Sequence, residues 1–182
     1  MSSAATIRPA TVADAAGIAA LYATYVTDSV ASFEEDAPDA AEIARRMLAP
    51  PRLPWLIATR EGVTVGYCYG ARHRARPAYR WSVECSVYLR EVEQGRGTAR
   101  ALYGELLQML ADLGYVTALA GVTLPNEASV RFHETMDFRS VGVFEHSGFK
   151  RGAWHDVGWW QRPLGELPEN PPPPRPWEPP PS

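Results

Sequence analysis

The stretch VYLREVEQGRGTAR, residues 87–100, is the most informative part of this chain. Its pattern predicts a strand, a short polar loop and then an amphipathic helix over residues 98–113, ended by Gly114. Small residues in the loop would let a ligand approach the backbone closely. The first amides of the helix lack partners within it and carry partial positive charge. The stretch therefore predicts an anion cradle suited to a pyrophosphate, or else a plain strand-to-helix turn that needs no ligand.

The candidate anion-binding residues of this loop carry a small side chain, an amide or a positive charge. They are Gln94, Gly95, Arg96, Gly97, Ala99 and Arg100.

Length and composition indicate one ordinary globular domain of 182 residues, of which 46% are hydrophobic and 21% charged. No apolar stretch approaches the roughly 20 residues of a membrane span, and we see no signal peptide. Cys68 and Cys85 lie in strand-like apolar runs, which predicts two reduced, buried thiols in a cytoplasmic protein. The net charge of −3 argues against a general nucleic-acid binder.

Helical and strand periods alternate along the chain, which predicts a mixed α/β sheet. Thr11 with Asp14, and Asp39 with Glu42, have the spacing of capping boxes that open helices. Besides the helix over 98–113, we expect helices that begin at Thr11, at Asp39 and at Ala128. The expected strands cover residues 6–10, 55–59, 63–69, 80–90, 116–122, 138–144 and 154–160.

Proline is concentrated at the C-terminus, where nine of the 17 prolines fall between Pro168 and Pro181. Such a segment lacks backbone donors and builds neither a helix nor a strand ladder. We predict a folded domain over residues 1–167 and an extended, solvated or surface-draped tail over residues 168–182.

The spacing Gln94-x-x-Gly97-x-Ala99 resembles the acyl-CoA signature of the Gcn5-related N-acetyltransferase (GNAT) superfamily. Residues 126–138 resemble the second motif of that superfamily, with Asp137 in place of the usual glycine and His133 in place of a frequent tyrosine. Over residues 7–164 the chain is most similar to the phosphinothricin and methionine sulfoximine N-acetyltransferases. The motifs that carry this likeness are RxxYxWxxExSVY from residue 76, LPNxxSVRxHE from residue 124 and GFKxGxWHDVGxWQ from residue 148.

The resemblance implies a single GNAT-type domain of the α/β (α+β) class. Its central sheet is mixed, mostly antiparallel and splayed, with flanking helices and with acetyl-CoA in the gap. The resemblance also implies direct acetyl transfer to an α-amino group and a homodimer. We assign no metal ligand and no membrane or nucleic-acid partner.

Glu84 is the candidate general base, because a protonated amine must lose a proton to attack the thioester. It lies in the middle of a predicted strand, on the face of Ser82 and Ser86 and opposite Val83 and Cys85. The alternative is that Glu84 merely pairs with an arginine across strands.

His133 occupies the position of the usual acid and is a candidate to protonate the leaving thiolate. Alternatively it only bonds a neighbouring strand or the cofactor. A backbone amide near Val87 or Tyr88 is placed to stabilise the oxyanion. Further cofactor contacts are expected from the backbone of Val87 and Leu89 and from the side chains of Asn126 and Ser129; Asn126 could instead be only a cap.

Substrate recognition is expected from a basic cluster before the Glu84 strand, which suits a small dianionic amino acid. The members of this cluster are Arg72, His73, Arg74, Arg76 and Arg80. Some of these arginines are expected to be solvated. The substrate-binding candidates are Phe33, Arg74, Arg76, Tyr79 and Lys150.

Three functions remain open at this point. The first is acetylation of phosphinothricin or methionine sulfoximine, which would confer resistance to these compounds. The second is acetylation of another amine, such as an ordinary amino acid, a polyamine or a protein N-terminus. The third is a non-catalytic acyl-CoA sensor whose tail recruits a partner. Glu84 argues against the sensor, and the arginine cluster argues against polyamines.

Overall fold

The computed structural model describes residues 4–179. Segments with the apolar spacing of strands form a seven-stranded sheet, and segments with helical spacing form helices that cover both of its faces. The strands are β1 (Thr6–Pro9), β2 (Trp55–Arg60), β3 (Val63–Arg72), β4 (Ser82–Leu89), β5 (Thr117–Leu124), β6 (Arg139–Lys150) and β7 (Ala153–Pro163). The helices are α1 (Ala15–Asp28), α2 (Ala40–Leu48), α3 (Thr98–Asp112) and α4 (Glu127–Thr135).

The strand order is β1-β2-β3-β4-β5-β7-β6, and β4 and β5 are the parallel pair in an otherwise antiparallel sheet over residues 4–179. Pairing between β4 and β5 covers Ser82–Glu84 against Thr117–Leu119. Both strands continue well past that point, so their later halves diverge. The expected mixed, mostly antiparallel and splayed sheet is confirmed.

Two hydrophobic clusters cover the two faces of the sheet. On one face α3 packs against β2, β3 and β4 through Leu102, Leu106 and Leu110, which are fully buried. Cys68 and Cys85 lie in this cluster as buried free thiols, as expected. On the other face α1 and α2 cover an aromatic layer of Trp55, Tyr67 and Tyr69. The site described below lies at the divergence of β4 and β5, between these two layers.

Several predicted boundaries are wrong for identifiable reasons. The strand expected over 80–90 begins only at Ser82, because the Arg80 N–H closes a 3-10 turn on the Pro77 carbonyl. The helix expected from Thr11 is preceded by a 3-10 turn over Val12–Asp14, although Asp14 does accept the Thr11 N–H at 2.8 Å as the capping box requires. The last two strands extend beyond their predicted ends and form one long hairpin, β6–β7.

The proline-rich segment lies against the domain at several points and contains no helix or strand up to residue 179. Trp177 is 6% exposed, and its backbone N–H donates to the Arg52 carbonyl at 3.0 Å. Trp81 Nε1 donates to the Pro172 carbonyl at 2.8 Å. The division of the chain at residues 167 and 168 stays a prediction, and residues 180–182 lie outside the described part.

Over residues 4–179, none of the helices combines the length and the apolar character that crossing a bilayer requires.

Candidate active site

The divergence of β4 and β5 opens a cavity of about 240 Å³. One wall is the second half of β4, the other is residues 121–123 of β5, and α4 closes the end. Of the residues expected to bind a cofactor, six line this cavity: Val87, Leu89, Gln94, Ala99, Asn126 and Ser129. The other four, Gly95, Arg96, Gly97 and Arg100, belong to the adjoining loop and the start of α3 but are not among the lining residues.

The gap edge of β4 offers main-chain groups to a ligand. The Trp81 carbonyl accepts from Val116 on the β5 side, whereas the Arg90 N–H donates to Val65 on the β3 side. Because hydrogen-bonding groups alternate along a strand, the N–H and C=O of Val87 point into the gap. Those of Leu89 point the same way but are bonded to Tyr25 Oη, at 3.3 and 2.6 Å. The backbone contact expected from Val87 is therefore better placed than the one expected from Leu89, and both stay predictions.

The loop before α3 has the form of an anion cradle. Gly95 and Gly97 have φ angles of +74° and +82°, and a Cβ built on either would meet no atom within 4 Å. Gly97 is the N-cap of α3, and the N–H groups of the first turn have no partner within the helix. Glycine at both positions thus gives the left-handed turn and leaves open space beside the positive end of the helix.

An ion pair between the buried Glu93 and the partly buried Arg60 adjoins this cradle. The Glu93 side chain, 2% exposed, accepts two hydrogen bonds from Arg60 at 2.8 and 2.9 Å. It also accepts the Thr98 hydroxyl at 3.0 Å, which ties the pair to the first residue of α3. The hydrogen bonds from Arg60, and then that from Thr98, hold the pKa of Glu93 below its ordinary value of 4.5.

Glu93→Gln is expected to lower the free energy of unfolding by about 1–3 kcal/mol, because it leaves the Arg60 charge without its anionic partner. Since folding lowers the pKa of Glu93, the pair stabilises the protein above pH 4.5 and this stabilisation is lost as the pH falls below that value. Chemical denaturation at pH 7 and pH 4 measures both effects. Glu127→Gln, which breaks an exposed pair with Arg131, is the control; a loss no larger than in that variant would contradict the prediction.

Glu84 is the last residue of β4 that pairs with β5, so it lies where the strands begin to part. The alternating burial of Val83, Glu84 and Cys85 confirms that it faces away from the α3 side. Its side chain is 35% exposed, and Oε1 is 2.7 Å from His73 Nδ1. Glu84 does not line the cavity, whose β4 wall begins at the next residue, Cys85. The partner of this carboxylate is therefore His73, and not the cross-strand arginine that was considered as an alternative.

His133 lies in the cavity wall and is buried. Its Nδ1 is 2.8 Å from the Ser129 carbonyl, so Nδ1 carries a proton, while Nε2 is 3.3 Å from Tyr103 Oη. Burial lowers the pKa of His133, and the bond to Ser129 offsets this only in part. A neutral imidazole with its proton on Nδ1 has none on Nε2. The proton of His133 is thus used in the bond to Ser129, which fits a structural hydrogen-bonding role better than that of a proton donor to the thiolate.

Two further residues of the second motif have clear local tasks. Asn126 caps α4, because its side-chain oxygen accepts the Ser129 N–H at 3.1 Å, and it also lines the cavity. The two roles considered for Asn126 are thus compatible. Asp137 has a φ of +63°, in the left-handed region that favours glycine, the residue usual at this position of the resembled motif.

The expected substrate-binding residues divide into two groups. Phe33 and Lys150 meet at the segment 29–38 between α1 and α2. Lys150 Nζ donates to the carbonyls of Val26, Ser32 and Glu34 at 2.6, 2.7 and 2.9 Å, so its three donors hold that segment. The Phe33 ring lies on Gly148, where a Cβ would come within 2.2 Å of it. A substrate contact for Lys150 stays a prediction, and its position now indicates an anchoring task.

The second group follows β3, in the segment 73–81. Arg74 and Arg76 are exposed, and Tyr79 is 40% exposed. The Arg74 guanidinium lies 5.9 Å from the centre of the Tyr79 ring, and its Nε donates to His73 Nε2 at 3.3 Å. Sequence reasoning placed His73 in the basic cluster but did not select it for the site; only its pairing with Glu84 distinguishes it from its neighbours.

This chain is similar to known proteins over most of its length. Residues 7–159 match the acetyltransferase (GNAT) domain. The chain is 39% identical to a phosphinothricin N-acetyltransferase of Streptomyces viridochromogenes, with 93% of each chain covered. It is 31% identical to an L-methionine sulfoximine/L-methionine sulfone acetyltransferase of Salmonella typhimurium, over 88% of this chain and 95% of that one.

A solved structure agrees with these relatives. The crystal structure of a GNAT superfamily phosphinothricin acetyltransferase from Sinorhizobium meliloti, in complex with acetyl-CoA, superimposes with a TM-score of 0.84 at 36% identity over 90% of each chain. The resemblance read from the motifs is therefore confirmed, and the chain belongs to the GNAT family of acetyltransferases.

Proposed function

We propose that this protein transfers the acetyl group of acetyl-CoA to the α-amino group of phosphinothricin, methionine sulfoximine or a closely similar amino acid. The observation that carries the proposal is the position of Glu84. Glu84 is the last residue at which β4 pairs with β5, and it directly precedes Cys85, the first β4 residue that lines the cavity. The named activities of the relatives in Streptomyces viridochromogenes and Salmonella typhimurium support the substrate class.

The residues present fit acetyl-CoA. Gly95 and Gly97 leave open space beside the N-terminus of α3, which suits the pyrophosphate. The unpaired Val87 backbone suits the amides of the pantetheine arm, as one added strand would be bound. When bound, the thioester supplies the acetyl group; no metal ligand is assigned to the reaction.

Glu84 acts as the general base in this proposal. It removes a proton from the incoming ammonium, directly or through one water, so that the nitrogen lone pair becomes available for attack. As the C–N bond forms and the C–S bond of the thioester breaks, the nitrogen loses its second proton to solvent. The Val87 N–H, which points into the gap, is placed to stabilise negative charge on the thioester oxygen.

For His133 we favour the bonding role over that of the acid. Its lowered pKa leaves it neutral at physiological pH, and its Nδ1 proton is held by the Ser129 carbonyl. In this proposal His133 fixes the first turn of α4 at the cavity, and the leaving thiolate takes its proton from solvent.

The substrate is expected to lie on the Glu84 face of the sheet, near Arg74, Arg76 and Tyr79. Their positive charge suits the α-carboxylate and the second polar terminus of phosphinothricin. Phe33 belongs to the segment 29–38, which Lys150 anchors, and in this proposal that segment covers the substrate.

An amine panel tests the proposed function through thiol release from acetyl-CoA. We expect L-phosphinothricin and L-methionine sulfoximine to release CoA faster than ordinary amino acids, spermidine or a peptide with a free N-terminus. N-acetylphosphinothricin, which lacks the free amine, is the negative control. Turnover of another amine without phosphinothricin or methionine sulfoximine would overturn the substrate assignment, and binding of acetyl-CoA without any turnover would favour a sensor.

We also propose that the protein is a homodimer that uses the β6–β7 hairpin. β6 is a 12-residue edge strand, and such edges are normally protected or paired. The hairpin exposes a run of large apolar side chains: Val141 (55%), Val143 (48%), Phe144 (55%), Phe149 (58%) and Trp154 (62%). A patch of this kind is typical of an interaction surface, and a second copy of the chain is the expected partner.

Trp154→Glu is expected to convert the dimer to a monomer, because it would bury an unpaired charge in the interface. Light scattering after size exclusion should give twice the 20.1 kDa chain mass for the parent and the single mass for the variant. Leu167→Glu, at a residue that is 78% exposed outside the hairpin, should leave the dimer intact. A monomeric parent protein would contradict the proposal.

A further inference from the structure

We propose that His73 is a positioning residue for acetyl transfer, whose Nδ1–H holds the Glu84 carboxylate in one orientation at the point where β4 and β5 part. This inference rests on the proposed role of Glu84 as the base, and it adds a residue that the motifs did not single out.

The chain brings the two side chains together through strand register. Ala71 of β3 lies opposite Glu84 and Arg72 lies opposite Val83, and β3 ends at Arg72. His73 is the next residue, so its side chain lies beside the edge of the Glu84 face. Nδ1 and Oε1 are 2.7 Å apart, a short distance typical of a bond to a charged acceptor.

The neighbours of His73 fix its tautomer. Arg74 Nε–H can only donate, and it donates to His73 Nε2 at 3.3 Å. Nε2 is therefore the acceptor of the ring, and the proton of the neutral imidazole lies on Nδ1. That proton points at Glu84 Oε1, so the pair is a donor facing a carboxylate.

Packing fixes the orientation of the ring. The His73 side chain is 13% exposed, whereas that of Glu84 is 35% exposed. The Tyr79 ring meets it edge-on at 5.6 Å between centroids, and Trp159 of β7 does the same at 6.2 Å. Over residues 4–179, the ionisable groups that bond to or pack on His73 are Glu84, Arg74 and Tyr79, and β7 contributes the uncharged Trp159. The His73 ring is thus fixed by its packing, and its hydrogen bond restrains the more exposed Glu84 carboxylate.

This restraint has a kinetic consequence. A base works only when its oxygen lies within hydrogen-bond reach of the proton it removes, and a glutamate has three rotatable bonds with which to leave that position. Losing a hydrogen bond to a charged group corresponds to about a 10- to 100-fold effect. We expect that loss in kcat, because the bond aims the base and contacts neither acetyl-CoA nor the bulk of the amine.

Two substitutions of His73 separate aiming from packing. His73→Phe keeps a ring against Tyr79 and Trp159 but removes the donor. His73→Asn loses the ring but retains an N–H close to the position of Nδ1. We expect the phenylalanine variant to lose about 10- to 100-fold in kcat with phosphinothricin while KM for acetyl-CoA is unchanged. The asparagine variant should keep most of the parent rate.

The reverse order would overturn the inference: a fully active His73→Phe together with an impaired His73→Asn would mean that His73 only fills space. Equal activity of both variants and the parent would overturn it as well. Acetyl-CoA affinity, measured by calorimetry for each variant, verifies that the fold is intact.

The Glu84→Gln background distinguishes failure of this inference from failure of the proposed function. Once the base is absent, His73→Phe should cause little further loss, because the two residues act as a unit. If Glu84→Gln alone retains the parent rate, the base assignment falls and this inference falls with it. If Glu84→Gln is impaired but His73→Phe is not, only the positioning role is excluded.

Discussion

Glu84→Gln is expected to lower kcat by about 10²- to 10⁴-fold while the affinity for acetyl-CoA changes little. Glutamine keeps the size of the side chain and can still accept the His73 N–H, so the local structure at the end of the β4–β5 pairing should persist. What it loses is the ability to take a proton from the ammonium. The effect therefore isolates base catalysis from binding.

The measurement is steady-state thiol release with phosphinothricin, together with calorimetry for acetyl-CoA. Glu134→Gln is the matched control, since Glu134 is an exposed carboxylate on α4, within the second motif. Its rate should equal that of the parent protein. A Glu84→Gln enzyme with an unchanged kcat would move the base to another group or to water alone.

Gly97→Val is expected to weaken acetyl-CoA binding by more than about 10-fold, for two physical reasons. A β-branched residue is strained at a φ of +82°, at a cost of about 1–2 kcal/mol. Its side chain would also fill the open space beside the start of α3 in which the pyrophosphate is expected to lie.

Gly62→Val is the control that separates backbone strain from the filling of the cofactor space. Gly62 has a φ of +77° and equally open surroundings, but it lies in the β2–β3 turn. Both variants should lose a similar amount of stability, whereas only Gly97→Val should lose acetyl-CoA in calorimetry. Unchanged affinity in Gly97→Val would remove the loop over residues 94–100 from the cofactor site.

Local patterns predicted the elements of this fold well. The strand, loop and helix over residues 87–113 could be predicted because the spacing of the apolar residues, the small loop residues and the stop at Gly114 are all local features of the sequence. The capping carboxylates of Asp14 and Asp39 are found where the sequence indicates them. The ends of helices and strands were less predictable where a single hydrogen bond decides them. The 3-10 turn before β4, for example, moves the start of that strand to Ser82.

Contacts between distant segments could not be predicted in this way. The bond from His73 to Glu84 depends on the register of β3 against β4. Lys150 binds carbonyls more than 100 residues earlier in the chain, so its charge suggested a ligand where the fold uses it as an anchor. From the sequence, Glu93 would be expected at the surface. It is buried because it pairs with Arg60, which lies 33 residues earlier in the chain.

The most direct measurement of the central claim is a crystal structure of the parent protein with CoA and phosphinothricin bound together. We expect the CoA phosphates to lie over the backbone of residues 94–100, with the α-amino nitrogen within about 3.2 Å of a Glu84 carboxylate oxygen, or one water away. CoA bound elsewhere, with the gap between β4 and β5 empty, would contradict it. So would a phosphinothricin amine that is out of reach of Glu84.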